Sequence, residues 1–204
     1  MVGGGKGIYG GDLTGGSLLL RESRMTARML LEGLAPAAIK VAVMDGNLFQ
    51  NGSPATTRKY CRLVLLRLHT LNSRQLRIVA EGPDESAALM LLAAVLKTYP
   101  IVRNFVREVM LDKVRCFEPR LTSQDWTRFL EQRETIDTGV KDWTESSRKK
   151  IGQVIVRMLT EAGLLSDTRR MAIQFPRVPP DVVDSLLASS DGGILECLKL
   201  GKAA

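Results

Sequence analysis

Residues 84–98 read DESAALMLLAAVLKT, and the ten residues from Ala87 to Leu96 are all apolar. Gly82-Pro83 gives a turn signal before this stretch, and Pro100 ends the pattern after it. A helix without a polar face is buried on all sides. It is also too short to span a membrane, which needs about 20 residues. We therefore expect residues 84–98 to form the central helix of a soluble bundle that has no membrane partner.

The segments on either side carry apolar residues at three-to-four spacing, which predicts amphipathic helices. Ser53, Asn72, Thr122 and Thr144 stand where N-caps belong, and Gly163 fits a C-cap. Residues 171–175 alternate like a short strand. The sequence thus predicts a mainly α fold, a helical bundle with helix-turn-helix-like segments and at most a short β-hairpin near 168–176.

A chain of 204 residues accommodates one domain or two small ones. Residues 1–16 are rich in glycine and predict a flexible arm. We expect a helix-turn-helix-like subdomain over 17–82. A C-terminal helical bundle with a winged-helix-like segment is predicted over 83–204.

Positive charge is segregated along the chain, whose net charge is +7. Residues 47–80 contain six Lys and Arg and no Asp or Glu, and residues 147–180 contain seven against two. The stretch between, 121–146, has six acidic and three basic residues. One such run is typical of a solvated helix face. Two runs, each on a helix with a capped start, favour a polyanion partner.

The first basic run begins with a strong helix start, SPATTRKY, at residues 53–60. A recognition helix enters the major groove by its N-terminal end, where small and hydroxylated residues let the backbone approach. Basic side chains then reach base edges and phosphates. The predicted DNA-binding residues of this segment are Ser53, Thr56, Thr57, Arg58, Lys59 and Arg62.

The second basic run, within residues 144–178, follows the pattern of a winged helix. A long helix ends near Gly163, and a basic turn and a short strand follow. An ordinary β-excursion between helices fits this pattern equally well. On the winged-helix interpretation, the DNA-binding residues are Arg148, Lys149 and Lys150 on the helix and Arg169 and Arg170 in the turn.

The sequence contains few residues from which a catalytic site could be built. His69 is the only histidine, and Cys61, Cys116 and Cys197 lie far apart without a CxxC pair. The glycine-rich start lacks the spacing of a phosphate-binding loop. We predict no catalytic residue, no metal site, no cofactor, and a cytoplasmic protein with reduced, buried thiols.

Five short strings occur along the chain in a characteristic order and spacing: LTGGSLLL (13–20), SPAT (53–56), FEPRL (117–121), WTESSRKK (143–150) and EAGLL (161–165). Together they resemble the BrxA family, the small accessory component of BREX bacteriophage-exclusion systems. The resemblance covers nearly the whole chain, from about residue 11 to residue 200. It implies a cytoplasmic bacterial protein with an all-helical, NusB-like fold that binds DNA. No catalytic residues carry over from the family.

Three functions stay open at this point. The first is a non-catalytic component of phage defence that binds duplex DNA through basic helices. The second is a protein-interaction adaptor whose basic helices contact other BREX proteins. The third is RNA binding through a NusB-like surface.

Overall fold

The computed structural model describes residue 13 and residues 15–201, which are mainly helical, as predicted. Helix starts and stops follow the predicted caps, including a capping box at Asn72 and a left-handed Gly163. A π-helical turn, Val106–Met110, joins α6 to α7. The helices are α1 (Leu20–Leu31), α2 (Pro36–Asp45), α3 (Pro54–Leu68), α4 (Ser73–Glu81), α5 (Asp84–Thr98), α6 (Pro100–Phe105), α7 (Leu111–Arg115), α8 (Ser123–Glu134), α9 (Thr138–Lys141), α10 (Glu145–Glu161), α11 (Pro180–Ala188) and α12 (Gly192–Lys199).

The chain forms two compact units, which are described separately. The N-terminal unit comprises Leu18–Thr98 and Val178–Leu195. The central unit comprises Tyr99–Arg177 with the described residues of Met1–Ser17 and Glu196–Ala204. The division therefore falls after α5, whereas the sequence suggested residue 82. Of the predicted arm, only residues 13, 15 and 16 lie within the described chain, and Leu13 is fully buried rather than loose.

Helix α5 is the central helix of the N-terminal unit. Every side chain from Ser86 to Leu96 is buried, and the helix packs against α1, α3, α4 and α11. A second apolar cluster lies between α2 and α3 and contains Ile39, Val43, Phe49, Cys61 and Leu65. The inward-facing residues of α3 thus pack against α5 and against this cluster. The opposite face of α3 is left for solvent.

A polar network explains why residues 178–195 belong to the N-terminal unit. The fully buried Gln75 donates through Nε2 to the Ser189 hydroxyl at 3.2 Å and to the Asp191 carboxylate at 3.4 Å. Lys97 at the end of α5 forms an ion pair with Asp191 at 2.6 Å. These contacts join α4, α5 and the segment after α11 across 94 to 116 residues of sequence, which local patterns do not encode.

The central unit is built around an aromatic cluster. The ring centroids of Phe105 and Trp126 are 5.4 Å apart, and those of Trp126 and Phe129 are 5.8 Å apart. The Trp126 indole donates to the carbonyl of Arg148 at 2.9 Å. A Cβ at Gly152 would lie 2.7 Å from the indole ring. Glycine therefore lets α8 and α10 pack closely at this point.

Two isolated antiparallel bridges replace the predicted strand in the central unit. Leu165 pairs with Ile173, and Arg120 pairs with Ala172. Residues 167–170 form the turn between residues 164–166 and 171–174, so a minimal hairpin follows α10. The described chain contains no full strand.

Within the described residues, no single helix is both long and apolar enough to cross a membrane. Only the consecutive pair Asp84–Thr98 and Pro100–Arg115 passes the same test of length and composition. The first of these is the buried α5.

Candidate nucleic-acid interface

Four basic side chains surround a groove of about 600 Å³ between α2 and α3 in the N-terminal unit. Arg58, Lys59 and Arg62 come from the first turns of α3, as the sequence suggested, and Lys40 comes from α2. All four are exposed or half-exposed. We call Lys40, Arg58, Lys59 and Arg62 the α3 surface.

The start of α3 is fixed by its cap. The Ser53 hydroxyl accepts the Thr56 amide at 3.2 Å, and the two hydroxyl oxygens also lie 3.2 Å apart. Pro54 occupies the first helical position, where its missing N–H costs nothing. Ser53 and Thr56 are half-buried. Their hydrogen bond fixes the residue at which α3 begins, and the start of the helix in turn sets the direction in which the basic side chains leave it.

The structure buries Thr57, which the sequence predicted as a DNA-binding residue. Its side chain is 2% exposed, and its hydroxyl donates to the Ser53 carbonyl at 3.3 Å. It lies one turn before Cys61, on the face that packs against the apolar cluster. Arg67, another member of the first basic run, is also buried, so the run is only partly a surface feature.

The Cys61 thiol borders the groove of the α3 surface. Burial raises its pKa, and the positive charge of Lys40 acts in the opposite direction. The net shift is upward, so the thiol stays protonated near neutral pH and adds no negative charge there. The charge of the groove is set by its four basic side chains.

The central unit carries a second set of exposed basic side chains. Lys149, Lys150 and Arg157 project from α10 and form no ion pair with any residue that the structure describes. Arg169 and Arg170 are exposed in the turn of the minimal hairpin. We call Lys149, Lys150, Arg157, Arg169 and Arg170 the α10 surface.

The Asp167 side chain stabilises the turn that carries Arg169 and Arg170. Its carboxylate accepts the backbone amides of Arg170 at 2.6 Å and Arg169 at 2.8 Å. These hydrogen bonds lower the pKa of Asp167, because they favour its ionised form. The carboxylate is therefore engaged by main chain, and both arginine side chains remain exposed.

A groove of about 780 Å³ lies beside α10 in the same unit. Its floor includes Trp126 and Val156, and Thr168 and Met171 of the hairpin line it as well. Lys149 and Arg157 border it from α10, while Glu131 borders it from α8. Glu145 at the start of α10 lines the groove as well, so the α10 side carries one carboxylate beside its basic residues.

Arg148, another predicted DNA-binding residue, is bonded within the central unit. Its guanidinium donates to the carbonyls of Trp143 at 3.0 Å and Val140 at 3.2 Å, and it forms an ion pair with Glu134. The acidic segment thus neutralises one of the three basic residues at the start of α10. Arg148 thus links the start of α10 to the preceding acidic segment. The exposed charge at the start of α10 comes from Lys149 and Lys150.

Three exposed residues that line the two grooves were not among the predicted DNA-binding residues: Lys40, Gln153 and Arg157. Lys40 lies on another helix from Arg58, so no local spacing connects the two. Gln153 and Arg157 are exposed, and they follow Lys149 at steps of four residues on one helix face. That spacing was available in the sequence and could have identified both.

The described residues contain no group of three or more His, Cys, Asp and Glu side chains able to hold a metal ion. His69 is exposed at the end of α3. Cys61 and Cys197 are buried, as expected, and burial raises the pKa of Cys197 to about 11. Cys116 is exposed, contrary to expectation.

The model of the BrxA family matches residues 7–190 of this chain. The chain belongs to the BrxA family. A BrxA relative named "BREX protein BrxA", from Escherichia coli O9:H4 (strain HS), is 31% identical and aligns over 84% of this chain and 80% of its own length. Another of that name, from Paramagnetospirillum magneticum (strain ATCC 700264 / AMB-1), is 29% identical over 94% of this chain and 96% of its own.

The helical fold of this BrxA family member is shared with a solved structure. The crystal structure of an uncharacterized protein from Magnetospirillum magneticum superposes with a TM-score of 0.86 at 27% identity. It covers 94% of this chain and 98% of that one.

Proposed function

We propose that this protein is a non-catalytic, DNA-binding component of a BREX phage-defence system. The relatives named as BREX proteins support the assignment to that system. DNA binding is supported by the two basic surfaces, each on a helix that begins at a hydroxyl cap. Phosphate contacts dominate the affinity of such surfaces, and they require accessible Lys and Arg.

The observation that carries the proposal is the arrangement of the α10 surface. Residues 119–174 run as a bridge, helix α8, the short α9, helix α10, a bridge, a basic turn and a returning bridge. This order supports a winged-helix arrangement, in which the long helix enters the major groove and the turn contacts the backbone. The exposed lysines of α10 and Arg169 and Arg170 stand at the positions that this arrangement uses.

The α3 surface supports a second DNA contact. Helices α2 and α3 follow the helix-turn-helix order, and their groove is bordered by basic side chains from both. Its polyanion partner is duplex DNA, because a capped helix with exposed basic residues in its first turns suits the width of the major groove.

The test is an equilibrium titration of duplex DNA at several salt concentrations. Each phosphate contact contributes about 0.9 to the slope of log K against log salt. We expect Arg58→Ala with Arg62→Ala to weaken binding and to lower the slope by about 1.8. Arg74→Ala with Arg77→Ala removes the same charge from the exposed side of α4 and serves as the matched control.

Equal slopes for the wild type and the α3 variant would remove the α3 surface from the proposal. Parallel titrations with single-stranded DNA and structured RNA of equal length identify the polymer. Tighter binding of RNA than of duplex DNA would contradict the choice of DNA.

A further inference from the structure

Lys149, Gln153 and Arg157 form one row along the outward face of α10. Each is exposed, and successive members are four residues apart, so their side chains leave the helix in nearly the same direction. All three also line the groove beside α10. Gln153, at the middle of the row, is the member that carries no charge.

The spacing of this row matches the width of the major groove. Lys149 and Arg157 are eight residues apart, which is about 12 Å along a helix. The major groove of B-DNA is about 12 Å wide. If α10 lies across this groove, the long side chains of Lys149 and Arg157 at the two ends of the row reach the phosphates on either side, and the shorter Gln153 between them faces the base edges.

A glutamine amide has the chemistry to read one base. Its carbonyl accepts a hydrogen bond and its NH2 group donates one in the same plane. Adenine offers the complementary pair in the major groove, an N6 donor beside the N7 acceptor. Lysine and arginine bind phosphates as well as bases, so the two flanking residues do not select adenine.

The apolar side of the groove fits the partner base. Val156 and Met171 are half-buried and line the groove together with Gln153. In the major groove, thymine presents its C5-methyl group, which makes contact with apolar side chains. An A·T pair therefore offers a hydrogen-bonding edge to Gln153 and a methyl group to the apolar residues.

We infer that Gln153 gives this protein a sequence preference, by reading adenine of an A·T pair from α10. The inference rests on the proposed DNA binding and adds specificity to it. A good bidentate pair between a side chain and a base discriminates about 5- to 150-fold against the wrong base.

The experiment selects bound duplexes from a randomised DNA pool and sequences them. The wild type is expected to enrich a motif with one fixed A·T pair that Gln153→Ala relaxes, while the rest of the motif persists. Gln153→Lys is expected to change that position to G·C, because lysine pairs with guanine O6 and N7. The exposed Gln132 on α8 provides the control variant, Gln132→Ala, which should leave the motif intact.

The outcomes separate the two proposals. Retention of the pool without an enriched motif, or a motif that both Gln153 variants leave unchanged, overturns the role of Gln153 and leaves DNA binding standing. Failure to retain any duplex at low salt overturns DNA binding itself. The Gln153→Lys switch keeps the test valid if the alanine variant is poorly folded.

Discussion

Helices α3 and α10 begin alike in sequence, but the residues that surround the first turn of each helix within its own unit differ. Ser53 and Thr144 cap them in the same way, because the hydroxyl oxygen of each accepts a hydrogen bond from the backbone amide three residues on. Five residues after each cap, Arg58 and Lys149 are both exposed. Counted from the cap, the outward positions of the two helices coincide.

The position four residues after each cap faces inward in both helices. In α3 this residue is Thr57, whose hydroxyl bonds to the carbonyl of the cap residue. In α10 it is Arg148, whose guanidinium bonds to Glu134 and to two carbonyls. This inward position thus holds a small hydroxyl residue in α3, where the surroundings are apolar. It holds a cationic residue in α10, where Glu134 provides a carboxylate. In these two helices, whether a residue near the start is exposed follows its position counted from the cap, not its membership of a basic run.

The largest expected effect comes from placing a cation at the inward position of α3. Thr57→Arg buries a charge beside Cys61 and the apolar cluster of Ile39, Val43, Phe49, Cys61 and Leu65. An unpaired buried charge costs about 3–5 kcal/mol, so we expect the free energy of unfolding to fall by that amount in urea denaturation.

The control for this variant is Arg58→Thr, which changes the next residue in the opposite sense. Surface substitutions of this kind stay within about 0.5 kcal/mol. Equal stability of the Thr57→Arg variant and the wild type would mean that the phase of α3 is misassigned.

A smaller loss is expected from removing the cation at the inward position of α10. Arg148→Ala leaves Glu134 and the carbonyls of Val140 and Trp143 without their donor. Because the Arg148 side chain is still 27% exposed, we expect a loss of about 2 kcal/mol in unfolding free energy. Thermal or urea denaturation of the purified variant measures it.

Lys149→Ala is the matched variant for Arg148→Ala, since it removes the neighbouring charge from the exposed face. It should leave stability unchanged and reduce DNA affinity. The reverse pattern, with Lys149 needed for stability and Arg148 for binding, would exchange the roles assigned to these two residues.

Much of the fold could be predicted from the sequence, because its signals are local. The apolar run at residues 87–96 identified the central α5, and the hydroxyl caps located the starts of α3, α8 and α10. The outward basic residues Arg58, Lys59, Lys149 and Lys150 followed from the same caps. Each of these inferences needs only residues within a few turns of one another.

The features that sequence reasoning missed depend on distant residues. Arg148 is withdrawn from the surface by Glu134, which lies on another helix. Lys40 joins the α3 surface only through the packing of α2 on α3. Residues 178–195 return to the N-terminal unit through Gln75 and Lys97, far away in the chain. Charge and pattern reveal which residues are available, and tertiary contacts decide which of them remain exposed.

The central claim is that each of the two basic surfaces binds DNA through phosphate contacts. The most direct measurement is the salt dependence of duplex DNA binding by a variant that combines Arg58→Ala, Arg62→Ala, Lys149→Ala and Lys150→Ala. If all four side chains contact phosphates, the slope of log K against log salt falls by about 3.6, twice the change expected for the α3 pair alone. A slope equal to that of the wild type would contradict the claim.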